Sequence, residues 1–187
     1  MTSNRSRVIL FTGLPAGGKS TIANSVGRVF TQPVISSEDI RSNLFEIGPQ
    51  SSDRDFSPRE LKIVYRAIGL CVRLQLSSGV GVSIVDGVFR DSDQRQMIFD
   101  IADDFDSEVY VFHIVCEEET ALERLERRSQ QSTTAPAGPD TYHKLKEEFI
   151  HPSHENLVEI NTTEQSISES VHKVIDNISL SAGEYNE

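Results

Sequence analysis

The sequence predicts an α/β fold built on a five-stranded parallel sheet that is flanked by helices. Short apolar runs rich in β-branched residues alternate along the chain with longer segments of helical spacing, an alternation typical of parallel sheets. The run at residues 109–115 is almost entirely apolar, as expected of a strand that is buried on both faces. A glycine-rich segment follows the first run and leads directly into a helical stripe. Together these observations predict a sheet assembled from successive βα units.

The five strands are predicted at apolar runs that are bounded by polar or turn residues. They cover residues 8–11, 34–35, 82–85, 109–115 and 157–160. His113 lies inside the fourth run, where its apolar neighbours favour a buried, hydrogen-bonded histidine of the core over a catalytic one.

Helices are predicted between the strands from apolar side chains spaced three and four residues apart. The clearest boundary is at Ser57, because an N-cap serine is followed there by proline at the first helical position and by Glu60 at the third. Gly79 can end this helix. Other apolar stripes begin at Ile22, Met97 and Ile167.

Length and charge limit the classes of function. A chain of 187 residues, with 37% hydrophobic and 25% charged residues, is expected to form a single domain over residues 1–187. Its net charge of −11 argues against an extended nucleic acid as partner, since phosphate backbones are bound by clustered Lys and Arg. A local anion pocket stays compatible with this charge, because it needs only a few cations and backbone N–H groups.

Cysteine content and hydropathy predict a cytoplasmic protein without a membrane segment. The two cysteines, Cys71 and Cys116, are too few for a disulfide framework and lie in apolar surroundings. No apolar run approaches the ~20 residues that span a bilayer. The short apolar stretch near the N-terminus does not have the pattern of a signal peptide.

The strongest motif is the glycine-rich loop after the first strand. Residues 13–20 match the pattern G-x-x-x-x-G-K-[ST] in full, between a strand and a helix, which is the setting of a phosphate-binding loop. Backbone N–H groups and the helix dipole would attract phosphate there, Lys19 would reach the β- and γ-phosphates, and Ser20 would bind Mg²⁺. The alternative, a glycine-rich turn without a ligand, is disfavoured by the full match. The predicted nucleotide-binding residues of this loop are Gly13, Pro15, Ala16, Gly17, Gly18, Lys19, Ser20 and Thr21.

Charged residues follow the second and third strands, at the sheet edge where α/β proteins bind ligands. Glu38 and Asp39 open a helix, and a carboxylate there can accept the proton of a hydroxyl group. The alternative is that these acids only stabilise the first turn of the helix. Asp86 ends the third strand, as expected of a residue that binds Mg²⁺ through water. Arg90 is either placed to reach a phosphoryl group or a solvated loop residue.

The segment at residues 129–139 is rich in Ser, Thr and Pro and is expected to interrupt helical structure. It is either a surface loop or a mobile lid over the site. Arg124 and Arg128 precede it on one helix face, where arginines could neutralise a phosphoryl group as a lid excludes water. After the last strand, Asn161 and Thr162 are placed to contact a nucleotide base. A threonine N-cap for the following helix is compatible with that role.

On these residues the chain resembles the small P-loop kinases of the adenylate-kinase-like superfamily, over about residues 7–178. The most similar group includes polynucleotide 5′-hydroxyl kinases, adenylylsulfate kinases, chloramphenicol phosphotransferases and small kinases of the same domain type. The resemblance implies a P-loop NTPase fold with strand order 2-3-1-4-5 and a short lid at about residues 127–141. It also implies ATP and Mg²⁺ as cofactors.

The segment after the second strand departs from this family in one respect. Family members typically read S-S-D-E-I-R, with aspartate as the base, whereas this chain reads S-S-E-D-I-R at residues 36–41. The base is therefore either Glu38 or Asp39. By the same resemblance, Arg41 helps to hold the acceptor, and Asp86 with Arg90 holds substrate phosphate and metal-bound water. Of the pair Arg124 and Arg128, one lies against adenine and the other reaches phosphate.

The predicted function is ATP-dependent transfer of a γ-phosphoryl group to a hydroxyl of a small acceptor. Two alternatives stay open: a nucleotide or polynucleotide 5′-hydroxyl kinase, and an ATP-binding module that is non-catalytic or a slow NTPase. The helix from Pro58 is expected to line the acceptor side of the site. Its nearest aromatic candidates, for which core packing is the alternative role, are Phe45, Phe56 and Tyr65. The sequence names neither the acceptor nor the oligomeric state.

Overall fold

A computed structural model describes residues 5–45, 56–131 and 138–183 of the chain. Its strands are β1 (Arg7–Thr12), β2 (Val34–Ser36), β3 (Val82–Asp86), β4 (Glu108–Val115) and β5 (Leu157–Asn161). They form one parallel sheet in the order β2-β3-β1-β4-β5. The predicted fold class, the five strands and their order are confirmed.

Helices connect the strands and cover the sheet. They are α1 (Lys19–Phe30), α2 (Ser37–Leu44), α3 (Pro58–Ser77), α4 (Ser92–Asp104), α5 (Glu118–Gln131), α6 (Pro139–Glu148) and α7 (Ile167–Gly183). Within the described ranges, no helix combines the length and the apolar character that crossing a membrane requires. Both cysteines are free thiols.

The core consists of two apolar layers, one on each face of the sheet. In β4, Val109 and Val111 pack with buried residues of α3 and α4, whereas Tyr110 and Phe112 pack with residues of α1 and α7. Successive side chains of a strand point to opposite faces, so a strand covered on both faces needs apolar residues at nearly every position. This explains the continuous apolar run at residues 109–115.

The boundaries of α3 follow the predicted capping signals. The Ser57 side chain accepts a hydrogen bond from the Glu60 N–H, and the Glu60 carboxylate accepts one from the Ser57 N–H at 2.9 Å. The helix ends at Ser77, and Gly79 follows with φ +79°, in the left-handed region that favours glycine. The predicted start and end of this helix are confirmed.

Two helix boundaries near the site differ in detail from what the sequence indicated. Helix α5 continues through Gln131 and α6 begins at Pro139, so helical structure extends into both ends of the segment at 129–139. Helix α7 begins at Ile167, and Ser166, not a threonine, forms its capping box with Glu169. Residues 132–137, the centre of the predicted lid at 127–141, lie outside the described residues, as do residues 46–55 on the acceptor side.

Candidate functional site

The loop between β1 and α1 holds its backbone in a conformation that few sequences tolerate. Gly13 and Gly18 have φ values of +138° and +92°, and Ala16 has φ +59°. Gly18 is the N-cap of α1 and provides no side-chain hydrogen bond to the first turn. The amide groups of that turn are therefore available to an anion, at the positive end of the helix dipole.

Gly13 packs against the backbone of β4 so closely that no side chain fits. A Cβ atom added at this position would lie 2.2 Å from the Ile114 carbonyl oxygen, and the φ of +138° is strained for any other residue. We expect Gly13→Ala to lower the free energy of unfolding by about 3 kcal/mol or more. Chemical denaturation with circular dichroism measures this loss.

Gly79→Ala is the matched control for this prediction. Gly79 also has a positive φ, of +79°, but nothing lies within 4 Å of an added Cβ. Backbone strain alone should therefore cost about 1 kcal/mol. Equal losses in the two variants would contradict the conclusion that the contact between Gly13 and Ile114 fixes the loop against β4.

Lys19 and Asp86 form a buried charged pair at the base of the loop. Lys19 is 8% exposed and donates a hydrogen bond to the Leu14 carbonyl oxygen at 2.7 Å. Burial lowers the pKa of the Lys19 ammonium, and the neighbouring Asp86 partly opposes this. Burial raises the pKa of the Asp86 carboxyl, whereas Lys19 and a hydrogen bond from Ser20 lower it in part. Each charge thus helps to keep the other ionised in the protein interior.

The surroundings of Asp86 fit a Mg²⁺ ion. Its Oδ1 atom is buried and has no hydrogen-bond partner within the described part of the chain. A buried carboxylate oxygen in that state is costly unless a cation or water reaches it. With the Ser20 hydroxyl hydrogen-bonded to the same carboxyl, the site offers the oxygen ligands that Mg²⁺ prefers.

Glu38 and Asp39 stand in the first turn of α2, directly after β2. Ser36 caps this helix by accepting a hydrogen bond from the Asp39 N–H at 3.2 Å. Both carboxylates are exposed to the open edge of the sheet. Partial desolvation raises the pKa of the Glu38 carboxyl; the charges of Asp39 and Asp86 add to this, whereas Arg41 and Arg128 oppose it.

The charge of Glu38 interacts with the lysine of the phosphate loop. Glu38 raises the pKa of Lys19, and it responds to Asp86 and to Arg128 of α5. Asp39 acts on Asp86 and on Glu38. The structure thus brings Glu38, Lys19, Asp86 and Arg128 together at the carboxyl edge of the sheet.

Arg124 connects α5 to the phosphate loop and to the turn after β5. Its guanidinium donates hydrogen bonds to the carbonyl oxygens of Ala16 at 3.2 Å and of Thr162 at 3.0 Å, and to the Thr162 hydroxyl at 3.0 Å. The Thr162 hydroxyl in turn donates to the Gly17 carbonyl oxygen at 2.8 Å. Asn161 accepts from the Thr163 N–H at 3.0 Å. Of the remaining predicted residues of this loop, Pro15 is half-buried and Thr21 is exposed.

The candidate acceptor side lies between α2, α3 and α6. A small cavity of about 80 Å³ adjoins one of about 400 Å³, and Tyr65 and Arg90 line both. The Arg41 guanidinium lies 5.0 Å from the centre of the Phe56 ring, and Phe45 contacts the same ring. The cavities are further lined by the cationic side chains of Arg41, Lys62 and Arg66.

Arg90 has partners that sequence reasoning did not predict. Its guanidinium forms an ion pair with Glu148 at the end of α6 and lies 3.9 Å from the Asp91 carboxylate. Buried Arg95 of α4 donates to the Phe89 carbonyl oxygen at 2.6 Å and was not among the predicted site residues. No local pattern marks these contacts, because Arg90 and Glu148 are 58 residues apart in the chain.

This phosphate loop, on a parallel sheet of order 2-3-1-4-5, defines a P-loop fold of the kind seen in solved small kinases. Residues 8–149 match the model of the AAA domain family, and the chain belongs to that family. The predicted resemblance to the P-loop kinases is confirmed at the level of the fold.

Curated mycobacterial relatives match part of the chain. It is 28% identical over 137 residues to the uncharacterized protein Rv2004c of Mycobacterium tuberculosis and, equally, to the uncharacterized protein Mb2027c of Mycobacterium bovis. The alignments cover 70% of this chain and 27% of each relative. The chain thus spans about a quarter of the length of the curated relatives it matches.

Several solved structures share the fold. The APS kinase CysC of Mycobacterium tuberculosis, in complex with AMPPNP and APS, has a TM-score of 0.67 at 19% identity, covering 94% of this chain and 98% of that one. A gluconokinase of Sinorhizobium meliloti has a TM-score of 0.70 at 15% identity, with 94% and 92% covered. Kti12 of Chaetomium thermophilum, in complex with ADP-AlF3, has 0.66 at 18%, with 91% and 98% covered. At these identities the likeness establishes the fold.

Proposed function

We propose that this protein is a kinase that transfers the γ-phosphoryl group of ATP to a hydroxyl of a small acceptor. The observation that carries the proposal is the convergence of Lys19, Asp86, Glu38 and Arg128 beside the open N-terminus of α1. A phosphate loop alone serves many NTPases. A carboxylate that interacts electrostatically with the lysine of the loop can also act as the base that removes the proton of a hydroxyl acceptor.

The chain's own residues would hold the nucleotide at its phosphates. Backbone amides of the loop bind the phosphate oxygens, and Lys19 exchanges its bond to the Leu14 carbonyl for the β- and γ-phosphates. Ser20, and Asp86 through water, would hold Mg²⁺, which neutralises phosphate charge when bound. The unpartnered Oδ1 atom of Asp86 supports this assignment.

Arg124, Asn161 and Thr162 would form the adenine side of the site. The N–H groups of Arg124 are directed at the carbonyl oxygens of Ala16 and Thr162, so the plane of its guanidinium is held firmly. A guanidinium held in this way can stack its flat face on an aromatic base. The Thr162 hydroxyl donates a hydrogen bond to the Gly17 carbonyl oxygen. Thr162 would therefore connect the adenine side of the site to the phosphate loop.

Glu38 is our choice for the base. Its raised pKa and its coupling to Lys19 and Arg128 suit a group that takes up a proton beside the phosphates. In the proposed step, the acceptor oxygen forms a bond to the γ-phosphorus and the bond to the β,γ-bridging oxygen breaks. The acceptor proton passes to Glu38 and then to water, and ADP leaves.

Cations would stabilise the transferring group and the acceptor. Arg128 follows Arg124 by one helical turn and acts on both Lys19 and Glu38, so it is placed to neutralise charge on the phosphoryl group. Arg41 and Arg90 would hold the acceptor, whose cavity they line. The lid at about residues 127–141 and a cytoplasmic location remain parts of this proposal.

The cavities favour a small acceptor over an extended one. The larger cavity, of about 400 Å³, has the volume of a site for a small metabolite. The net charge of −11 disfavours a polynucleotide wrapped over the surface.

An acceptor screen tests the proposal. Purified protein with Mg·ATP is incubated with sugars, amino alcohols, nucleosides and a 5′-hydroxyl oligonucleotide, and products are identified by mass spectrometry. We expect a phosphorylated small acceptor together with ADP. Phosphorylation of the oligonucleotide, with salt-sensitive binding, would establish the polynucleotide alternative. ADP without any phosphorylated acceptor would favour the NTPase module and overturn the kinase proposal.

A further inference from the structure

Two histidines and a glutamate converge on one edge of the sheet, beside the phosphate loop. His113 of β4 and Glu159 of β5 are paired residues of neighbouring strands, so their side chains point to the same face. His151 lies in the connection between α6 and β5. One ligand atom from each of the three side chains lies within 4.8 Å of the others.

The His151 ring is oriented as in a metal-binding histidine. Its Nδ1 atom lies 2.8 Å from the Pro152 carbonyl oxygen. A carbonyl can only accept, so Nδ1 carries the proton, and in the neutral ring Nε2 bears a lone pair. That Nε2 atom faces Glu159 Oε2 at 3.5 Å. Two acceptors that face each other need a cation or an additional proton between them. A metal-binding histidine usually donates its other ring N–H to a group such as a backbone carbonyl, which fixes the orientation of the ring.

His113 contributes a buried ring nitrogen that lacks a well-formed hydrogen bond within the described part of the chain. The residue is 6% exposed, and its Nδ1 atom has no hydrogen-bond partner among the described residues. The nearby Glu159 Oε2 lies at 3.4 Å. The prediction of a buried histidine is therefore confirmed. The ring stacks on Phe149 at 5.4 Å and meets the His151 ring edge-on at 4.7 Å, which fixes its direction.

We propose that His113, His151 and Glu159 bind a transition-metal ion, with Zn²⁺ as the best fit. A tetrahedral ion with bonds of about 2.05 Å separates its ligand atoms by about 3.3 Å. The two distances to Glu159 Oε2, 3.4 and 3.5 Å, are close to that value. Imidazole and carboxylate ligands together suit Zn²⁺ rather than Mg²⁺ or Ca²⁺.

The electrostatic surroundings allow the ion to bind. Burial lowers the pKa of His113 to about 4; His151 and Arg95 add to this, and Glu159 opposes it. The ring is thus neutral at neutral pH, which is the form that binds metals. His151 and Glu159 have side-chain exposures of 63% and 55%, so an ion can enter from solvent and keep a water ligand.

A bound ion would cross-link the connection between α6 and β5, through His151, to the strands that carry His113 and Glu159. Ile150, next to His151, donates its backbone N–H to the Arg90 carbonyl oxygen at 2.7 Å. His113 also lines a cavity of about 180 Å³ behind the phosphate loop, together with Gly17 and Phe149. The ion would therefore stabilise the fold beside the nucleotide site. The inference does not depend on the kinase activity.

Zinc titration of the metal-stripped, nucleotide-free protein tests this site. We expect isothermal titration calorimetry to give one bound Zn²⁺ per chain, with a rise in melting temperature. His151→Ala and Glu159→Gln replace exposed ligands and should each weaken binding at least tenfold. Co²⁺ should give the visible absorption of a tetrahedral complex in the native protein and lose it in both variants.

His172→Ala and Cys116→Ser are the controls. His172 is exposed on α7, and Cys116 is a free thiol that could bind Zn²⁺ by itself. Both variants should bind Zn²⁺ as the native chain does. Absence of binding to the native protein would overturn the proposal. Equal affinity of the His151→Ala and Glu159→Gln variants would also overturn it.

Discussion

Glu38→Gln is expected to lower kcat by about 100-fold or more, whereas Asp39→Asn should change it only a few-fold. Glutamine keeps the size and polarity of the side chain but cannot accept the proton of the acceptor hydroxyl. Asp39 lies beside Glu38 on α2, yet it is the Glu38 charge that raises the pKa of Lys19. Steady-state kinetics with the acceptor identified by the product screen measure both variants, and the KM for ATP should stay nearly constant.

The pH dependence of kcat gives a second readout of the same assignment. A base works only when deprotonated, and the pKa of Glu38 is raised above its usual value by desolvation and by neighbouring acids. Activity should therefore fall on acidification at a higher pH than an unperturbed glutamate would give. This acid limb should be absent from the residual activity of Glu38→Gln.

Two results would contradict the assignment to Glu38. If Asp39→Asn had the larger effect, the neighbouring carboxylate would be the base. If neither substitution slowed phosphoryl transfer, both acids would only stabilise the first turn of α2, as in the alternative interpretation of the sequence.

Lys19→Ala should reduce ATP turnover by about 1,000-fold or more. Lys19 is the cation expected to neutralise the charge that develops on the β- and γ-phosphates during transfer, and one such contact in a desolvated site is worth several kcal/mol. The same substitution removes the cation that lowers the pKa of buried Asp86, so the proposed Mg²⁺ ligand becomes harder to ionise. ADP release in a coupled assay measures the loss.

Two further variants separate catalysis from folding in this test. Lys19→Met keeps most of the buried volume without the charge and should be equally inactive while retaining the native circular dichroism spectrum. Lys173→Ala removes a lysine from α7, where it donates to the Glu159 carbonyl oxygen, and should retain turnover. Near-normal turnover in Lys19→Ala would rule out the assigned role of the phosphate loop.

Features that depend on residues close together in the sequence could be predicted from it. The capping box of Ser57 and Glu60, the buried strand at residues 109–115 and the phosphate loop at residues 13–20 are each encoded within a few positions. The resemblance to P-loop kinases added the strand order, which local patterns do not determine. The threonine N-cap considered for α7 is wrong: the Thr162 hydroxyl donates to the Gly17 carbonyl oxygen, and Ser166 caps the helix.

The sequence by itself determined the sheet, the phosphate loop and the residue types near it, because hydrophobic periodicity and glycine placement act locally. Only the tertiary structure decided which charged groups meet. Arg124 bonds to Ala16 and Thr162, and Glu38 shares the field of Lys19 and Arg128. His113 meets Glu159 only because β4 pairs with β5 in a particular register. Residues far apart in the sequence come into contact when the order of the strands brings their ends together. The spacing of residues along the chain does not reveal which strand ends become neighbours.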